Sequence, residues 1–363
     1  MSTEDGEKKP VRILALDDGG PGAYSQLLIL NDYMNRVAPD MNKDTSDVYP
    51  ADYFDLIGGV GFGGLIALLL GHLRMSVDEA IETLVTIGID VFPVASQGTL
   101  NRRTGVYEII KAFPSVALTL FFSDAPEKGG PDSNTKVLKE AFERLLQNRH
   151  LPVDIKMIDE RHSNVRCKVA LYAATRANLT HVNTFRTYRS HERGLNPTVV
   201  DAIRASVAVP PFFSPISIGE HLMKQKFVGG AFIMTNPTRE LLEEARRVFG
   251  KDTHMFQVFN IGSGLRRVHS LDVSEPTSDI SRSPELENEA IASEMSTRVD
   301  KYLRLDVNRG MEDITMDQWN KLGLIRSHTE AYLDTADVRT KLDSFWRRLH
   351  ETTQDVVIKK IGT

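Results

Sequence analysis

The stretch Asp55-Leu56-Ile57-Gly58-Gly59-Val60-Gly61-Phe62-Gly63-Gly64-Leu65-Ile66-Ala67 restricts what this chain can become more than any other. A short apolar run enters a turn so rich in glycine that side chains do not obstruct it, and an apolar helix beginning at Leu65 leaves it. Strand, tight turn and helix in that order are the setting of a nucleophile elbow. There a Ser between near-flanking glycines sits on the turn, beside backbone N–H groups and a helix N-terminus. The centre of this turn is Gly61, which has no oxygen with which to attack, and no Ser elsewhere has the G-x-S-x-G surround.

Gly59 to Gly64 also fits G-x-G-x-x-G, the dinucleotide fingerprint, with Asp78 at the distance of its acidic ribose ligand. The context opposes that use. In the dinucleotide fold the acid ends a second strand, whereas Asp78 lies inside Ser76-Val77-Asp78-Glu79, a capping box that opens a helix. No cofactor is expected. His72, His162 and His181 lack ligand spacing, and with Cys167 as the only cysteine neither a disulfide nor a multi-Cys zinc site is possible.

Strands alternate with helices from Val11 onward, which predicts an α/β fold: a three-layer α/β/α sandwich with a mainly parallel central sheet. Residues 1–10 are expected to be disordered, 11–265 to form the α/β domain, 266–285 a flexible loop, and 286–363 a helical C-terminal extension packed on the domain. Val106 to Phe122 is apolar, and is expected to be core rather than a lid or a membrane-facing surface. Trp319 and Trp346 are expected packing anchors. A net charge of −5 without an extended basic tract excludes a nucleic-acid partner. No run approaches the length of a transmembrane helix and the N-terminus lacks a signal-peptide core, so a cytoplasmic location with at most transient membrane-surface contact is expected.

Three glycine-rich loops follow apolar strands: Asp17-Asp18-Gly19-Gly20, the elbow, and Gly229-Gly230-Ala231. In a doubly wound sheet such loops gather at the carboxyl edge and form a crevice. At these residues the chain resembles the patatin-like phospholipases, lipid acyl hydrolases with a Ser–Asp dyad. The resemblance runs from Val11 to Leu333. It includes Tyr53-Phe54-Asp55-Leu56-Ile57, Met75 to Ala80, Ala205-Ser206-Val207-Ala208-Val209-Pro210-Pro211-Phe212-Phe213, Asn236-Pro237, Tyr302 to Val307 and Met316 to Trp319. Against the family pattern the functional positions depart. The nucleophilic Ser falls on Gly61 and the dyad Asp on Gly229. The second residue of the oxyanion loop is Asp18 instead of Gly, and the Arg that follows that loop falls on Gly22.

The resemblance implies the lipase-shaped crevice, and the departures imply that ester hydrolysis is lost. A carboxylate at Asp18, about 4 Å from a developing oxyanion, opposes it by about 4 kcal/mol at an effective dielectric near 20. The expected replacement is binding of an apolar small molecule or lipid in a pocket enlarged by the two glycines. That pocket is read as one repurposed for cofactor-free, non-covalent catalysis such as cyclisation, a pericyclic step or isomerisation of a terpenoid- or polyketide-like metabolite. A catalytically inactive lipid-binding regulator is the alternative. Asp18 is the first candidate catalytic residue, as a base or hydrogen-bond donor, its plainer role being a turn or cap Asp. Tyr24 is the second candidate. Gly19, Gly20, Phe62, Phe212, Phe213 and Phe232 are the candidate ligand-binding residues.

Overall fold

Val11–Leu16 forms β1, and its side chains alternate between two packed faces. Leu14 and Leu16 join the larger hydrophobic core, while Val11, Ile13 and Ala15 join the smaller one. Because both faces are covered, the strand reads as a continuous apolar run. The computed structural model describes residues 11–44, 47–93, 130–159, 166–192, 194–250, 256–264, 289–293 and 302–347. The disorder expected of residues 1–10, the flexible loop expected at 266–285 and the core packing expected of Val106 to Phe122 fall outside these residues.

Loop 17–22 leads to α1 (Ala23–Val37). The short α2 (Pro50–Tyr53) precedes β2 (Leu56–Val60), which enters α3 (Gly61–Ala67) with no linking residue. Next, α4 (Val77–Val91) opens with the capping box read from the sequence. The Glu79 N–H donates to Ser76 Oγ at 3.2 Å, and the Ser76 N–H donates to Glu79 Oε2 at 2.8 Å. There follow α5 (Pro131–Asn148), β3 (Lys168–Thr175), β4 (Asn178–Arg186), α6 (Val199–Ser206), β5 (Ile216–Ile218), β6 (Gln225–Gly229), α7 (Thr238–Phe249), β7 (Phe256–Ile261), β8 (Tyr302–Leu305) and α8 (Leu322–Leu333).

The strands form one 8-stranded mixed sheet, ordered β5-β6-β3-β2-β1-β7-β8 with β4 paired to β3. The β1–β2, β1–β7, β2–β3 and β7–β8 ladders are parallel. The β3–β4, β3–β6 and β5–β6 ladders are antiparallel. Helix α7 covers one face through Leu241, Leu242 and Ala245, and α1, α3, α4, α5, α6 and α8 cover the other. The result is the expected α/β/α sandwich around a mainly parallel sheet.

One correction concerns the C-terminal part. Residues 286–363 were expected to be helical, and 265 to end the α/β domain, yet Tyr302–Leu305 is a strand that pairs in parallel with β7. Its alternating Leu303 and Leu305 are buried between the same layers as the rest of the sheet.

The pairing of β3 sets the site. β4 lies along one of its edges from Ala170 to Thr175. The other edge is shared end to end: β2 pairs up to Val60↔Tyr172, and β6 begins at Ala173↔Gly229. Since β2 and β6 run in opposite directions, their carboxyl ends meet, and Gly61 and Gly229 arrive at one place.

Candidate functional site

Val60 is extended and Gly61 is left-handed, with φ 56°, so the chain reverses from strand to helix within one residue. Glycine adopts this conformation without the penalty other residues incur. The turn is pinned from α6: the Gly61 N–H donates to Ser206 Oγ at 3.0 Å, and Ser206 Oγ donates to the Tyr172 carbonyl at 3.1 Å. Ser206 is fully buried. Nothing in the sequence around it distinguished this role from ordinary helix packing.

The room beside Gly61 is taken by Asp18. A Cβ placed on Gly61 would stand 1.9 Å from Asp18 Oδ1 and 2.6 Å from its Cγ. The Phe62 N–H, belonging to the residue after the centre of the elbow, donates to the same Oδ1 at 3.3 Å. In an elbow of this kind that N–H is an oxyanion donor, and here it faces the protein's own carboxylate. The expectation of a pocket enlarged at this point is therefore corrected: the volume freed at position 61 holds a buried acid.

Gly229 differs from Gly61 because its backbone, φ −58° and ψ 145°, suits any residue. A Cβ there would nevertheless lie 2.7 Å from Val209 Cγ2 and 2.9 Å from the Ser206 carbonyl, so a side chain requires both Val209 and the Ser206 backbone to give way. At Gly22 a Cβ would be 2.1 Å from the Ser263 carbonyl. The loop after β7 thus lies directly on the loop after β1, and Ser263 Oγ donates to the Asp18 carbonyl at 2.6 Å.

Beneath these loops runs a buried polar network. Asp17 accepts from Asn260 Nδ2 at 2.9 Å and from Arg304 at 2.8 Å, and Arg304 also donates to Asp306 at 2.6 Å. Asp306 accepts the Gly264 N–H at 2.7 Å, and Asn236 donates to Asn260 Oδ1 at 3.2 Å. The loops after β1, β6 and β7 are thereby tied to β8. Burial pushes the Asp17 carboxyl up to about 6, against the downward pull of Arg304. Arg304 is itself held above the ordinary guanidinium range: burial opposes its charge, and Asp17 and Asp306 more than offset that.

The remaining candidates separate. Phe62 packs against Phe213 and Trp319, at ring-centroid distances of 6.2 and 5.4 Å. Phe92 contacts Phe212 and Phe213 at 6.2 and 5.6 Å. Gly19 and Gly20 lie in the loop against Ser263 and Met316. Phe232 is half-buried in the turn after β6. Tyr24 is buried and hydrogen-bonded to Arg326, next to α8, and burial raises its phenol. That bond directs it to α8, to which Arg326 belongs.

The model of the patatin-like phospholipases matches residues 14–242, from within β1 into α7. The chain belongs to the patatin-like phospholipase family. Calcium-independent phospholipase A2-gamma of Mus musculus is 27% identical over 265 residues, covering 70% of this patatin-like chain and 28% of the relative. The Rattus norvegicus protein is 26% identical over 308 residues, covering 82% and 33%. The chain therefore spans about a third or less of the length of these relatives. Patatin-like phospholipase 1 of Plasmodium falciparum (isolate NF54) is 43% identical over a shorter stretch of 65 residues, 17% of this chain and 9% of that one. Among solved structures, VipD from Legionella pneumophila aligns over 92% of this chain and 69% of its own, with TM-score 0.35 and 10% identity. Human GIVD cytosolic phospholipase A2, in complex with methyl gamma-linolenyl fluorophosphonate, aligns over 95% and 60%, with TM-score 0.39 and 10% identity.

Proposed function

We propose that this patatin-like chain takes a lipid-like apolar ligand and does not cleave acyl esters through a Ser–Asp dyad. The observation that supports this is the Asp18 carboxylate, standing where a side chain on Gly61 would stand and facing the Phe62 N–H. Without a serine oxygen most of the rate of acyl transfer is lost. The Asp18 side-chain oxygen already accepts that N–H and so competes with the oxyanion the reaction would create. Gly229 supplies no carboxylate to activate a nucleophile. The relatives are named phospholipases, which supports a lipid-like ligand.

In this reading the chemistry passes to Asp18. The carboxylate takes a proton from a carbon next to a carbonyl of a terpenoid- or polyketide-like substrate and returns it at another carbon, so that an isomer or cyclised product of equal mass forms without a covalent intermediate or a cofactor. A second reading is ligand binding without turnover, at the half-buried rings of Phe212 and Phe232, since Phe62 and Phe213 are taken up by core packing.

The test has two parts. The purified chain is expected to leave short- and long-chain p-nitrophenyl esters intact, and cleavage at a rate typical of lipases overturns the proposal. Incubation with an organic extract of cells, followed by mass spectrometry, is expected to show a depleted compound and an isomer of equal mass with the wild type and not with Asp18→Asn. Depletion from solution without a product selects the binding-only reading.

A further inference from the structure

The most exposed apolar side chains of the described residues lie at the end of the β5–β6 hairpin, far from the core. Leu222 is 102% exposed and Met223 78% exposed. Gly219, at φ 120°, and His221, at φ 44°, fold the connection so tightly that the two side chains point away from the protein. Next to this turn is the β3–β4 turn, joined to it where the Arg176 N–H donates to the Lys226 carbonyl at 2.8 Å. That second turn carries Leu179, itself 47% exposed.

The topology places both turns on the carboxyl edge of the sheet, the edge that carries Asp18 and Gly61. β3 runs past the end of β2, and β6 runs back toward it from the turn. β6 is 5 residues long, so the exposed turn stands about 16 Å beyond Gly229, at ~3.3 Å per residue. Arg176, Lys224 and Lys226 lie at or beside these two turns and are exposed, with Glu220 as the one acid on the β5–β6 turn. Among the described residues, no ion pair involves these three cations.

We infer that these two turns are a docking surface for a lipid bilayer bearing anionic headgroups. Adjacent apolar side chains at the apex of a protrusion insert into the interfacial zone without needing a complementary partner surface, while a stable protein interface needs a broad patch. Unpaired Lys and Arg beside them match the negative surface potential of such a membrane, and their long stems reach headgroups while the apolar tips go deeper. Bound this way, the chain presents the site edge to the bilayer. This surface rests on exposure, topology and the unpaired cations, and it stands whether or not the Asp18 site turns over a ligand.

The test is co-sedimentation of the full chain with phosphatidylcholine vesicles and with vesicles of phosphatidylcholine mixed with phosphatidylserine. Wild type is expected to pellet with the mixed vesicles about tenfold more strongly, and added salt to reduce the preference. Leu222→Ser with Met223→Ser is expected to lower binding to both by about tenfold or more. Lys224→Gln with Lys226→Gln is expected to remove only the preference for phosphatidylserine. A separate variant, Leu222→Trp, reports directly: its emission shifts to the blue on mixed vesicles if the tip enters the bilayer. The inference is overturned if wild type stays in the supernatant with both vesicles, if the serine variant binds as wild type, or if the Leu222→Trp emission is unchanged. A concentration-dependent dimer dissolved by the serine variant, with no vesicle binding, overturns it in favour of self-association.

Discussion

A side chain added at Gly61 meets two separate costs. The left-handed backbone costs any L residue about 1–2 kcal/mol, and overpacking against Asp18 costs a further ~1–3 kcal/mol. Only the second disappears when Asp18 is shortened. Gly61→Ser is therefore expected to lower unfolding free energy by about 3 kcal/mol, and the pair Asp18→Gly with Gly61→Ser by about half of that. Urea denaturation of the two single variants and the double variant measures the coupling. Strictly additive effects would show that Asp18 swings aside freely and is not the occupant of that space. The same pair shows where a sequence stops being informative at this scale. The absence of an oxygen at position 61 is visible in the residue list, and so is an acid in the loop after β1. That the acid fills the volume left by the glycine depends on β1 and β2 lying side by side, with Leu16 opposite Gly59.

At the scale of elements, the Asp17–Arg304–Asp306 network joins β1 to β8 and confers a pH dependence with a definite sign. The Asp17 carboxyl titrates near 6 in the folded protein and near 3.8 as an ordinary carboxyl. Between these values the folded state holds the proton and the unfolded chain does not, so this group's contribution is present below about 3.8 and lost as pH rises through about 6. The gap corresponds to about 3 kcal/mol. The stability difference between wild type and Asp17→Asn is expected to shift in favour of wild type by about that amount as pH falls from 7.5 to about 4, measured by urea midpoints at each pH. A constant difference would remove Asp17 from the titration. Trp319, fully buried before α8, makes a second tie to the elbow through Phe62. Trp319→Ala is expected to cost about 4 kcal/mol by calorimetry or denaturation.

The elements themselves were largely legible, because apolar runs bounded by glycine and proline mark β1, β2 and β7, and the capping box marks α4. β8 was not legible: its 4 residues, Tyr-Leu-Arg-Leu, are a short run in a stretch read as mostly helical, and pairing with β7 decides their conformation. The polar network was hidden for a related reason, since Asp17 and Arg304 meet only through the order of strands in the sheet.

For the whole molecule, the sheet holds the three loops in register independently of the groups that hydrolysis needs. The parallel ladders set the ends of β1 and β2, the antiparallel ladder sets the end of β6, and neither depends on the side chains at positions 18, 61 or 229. The scaffold is therefore expected to accept a dyad if the space for it is made. Gly61→Ser needs Asp18→Gly, and Gly229→Asp needs Val209→Ala together with a small shift of the Ser206 carbonyl, because the Cβ at 229 would press on both. Wild type is expected to resist labelling by a fluorophosphonate ester, which reports an activated serine. The fourfold variant is expected to label slowly, with Gly229→Asp omitted as the control that abolishes activation. Labelling of the wild type would show that another serine is activated and would overturn the assignment of Gly61 as the vacant nucleophile position. Failure of a folded fourfold variant to label would mean that the loops have diverged in backbone as well as in side chain.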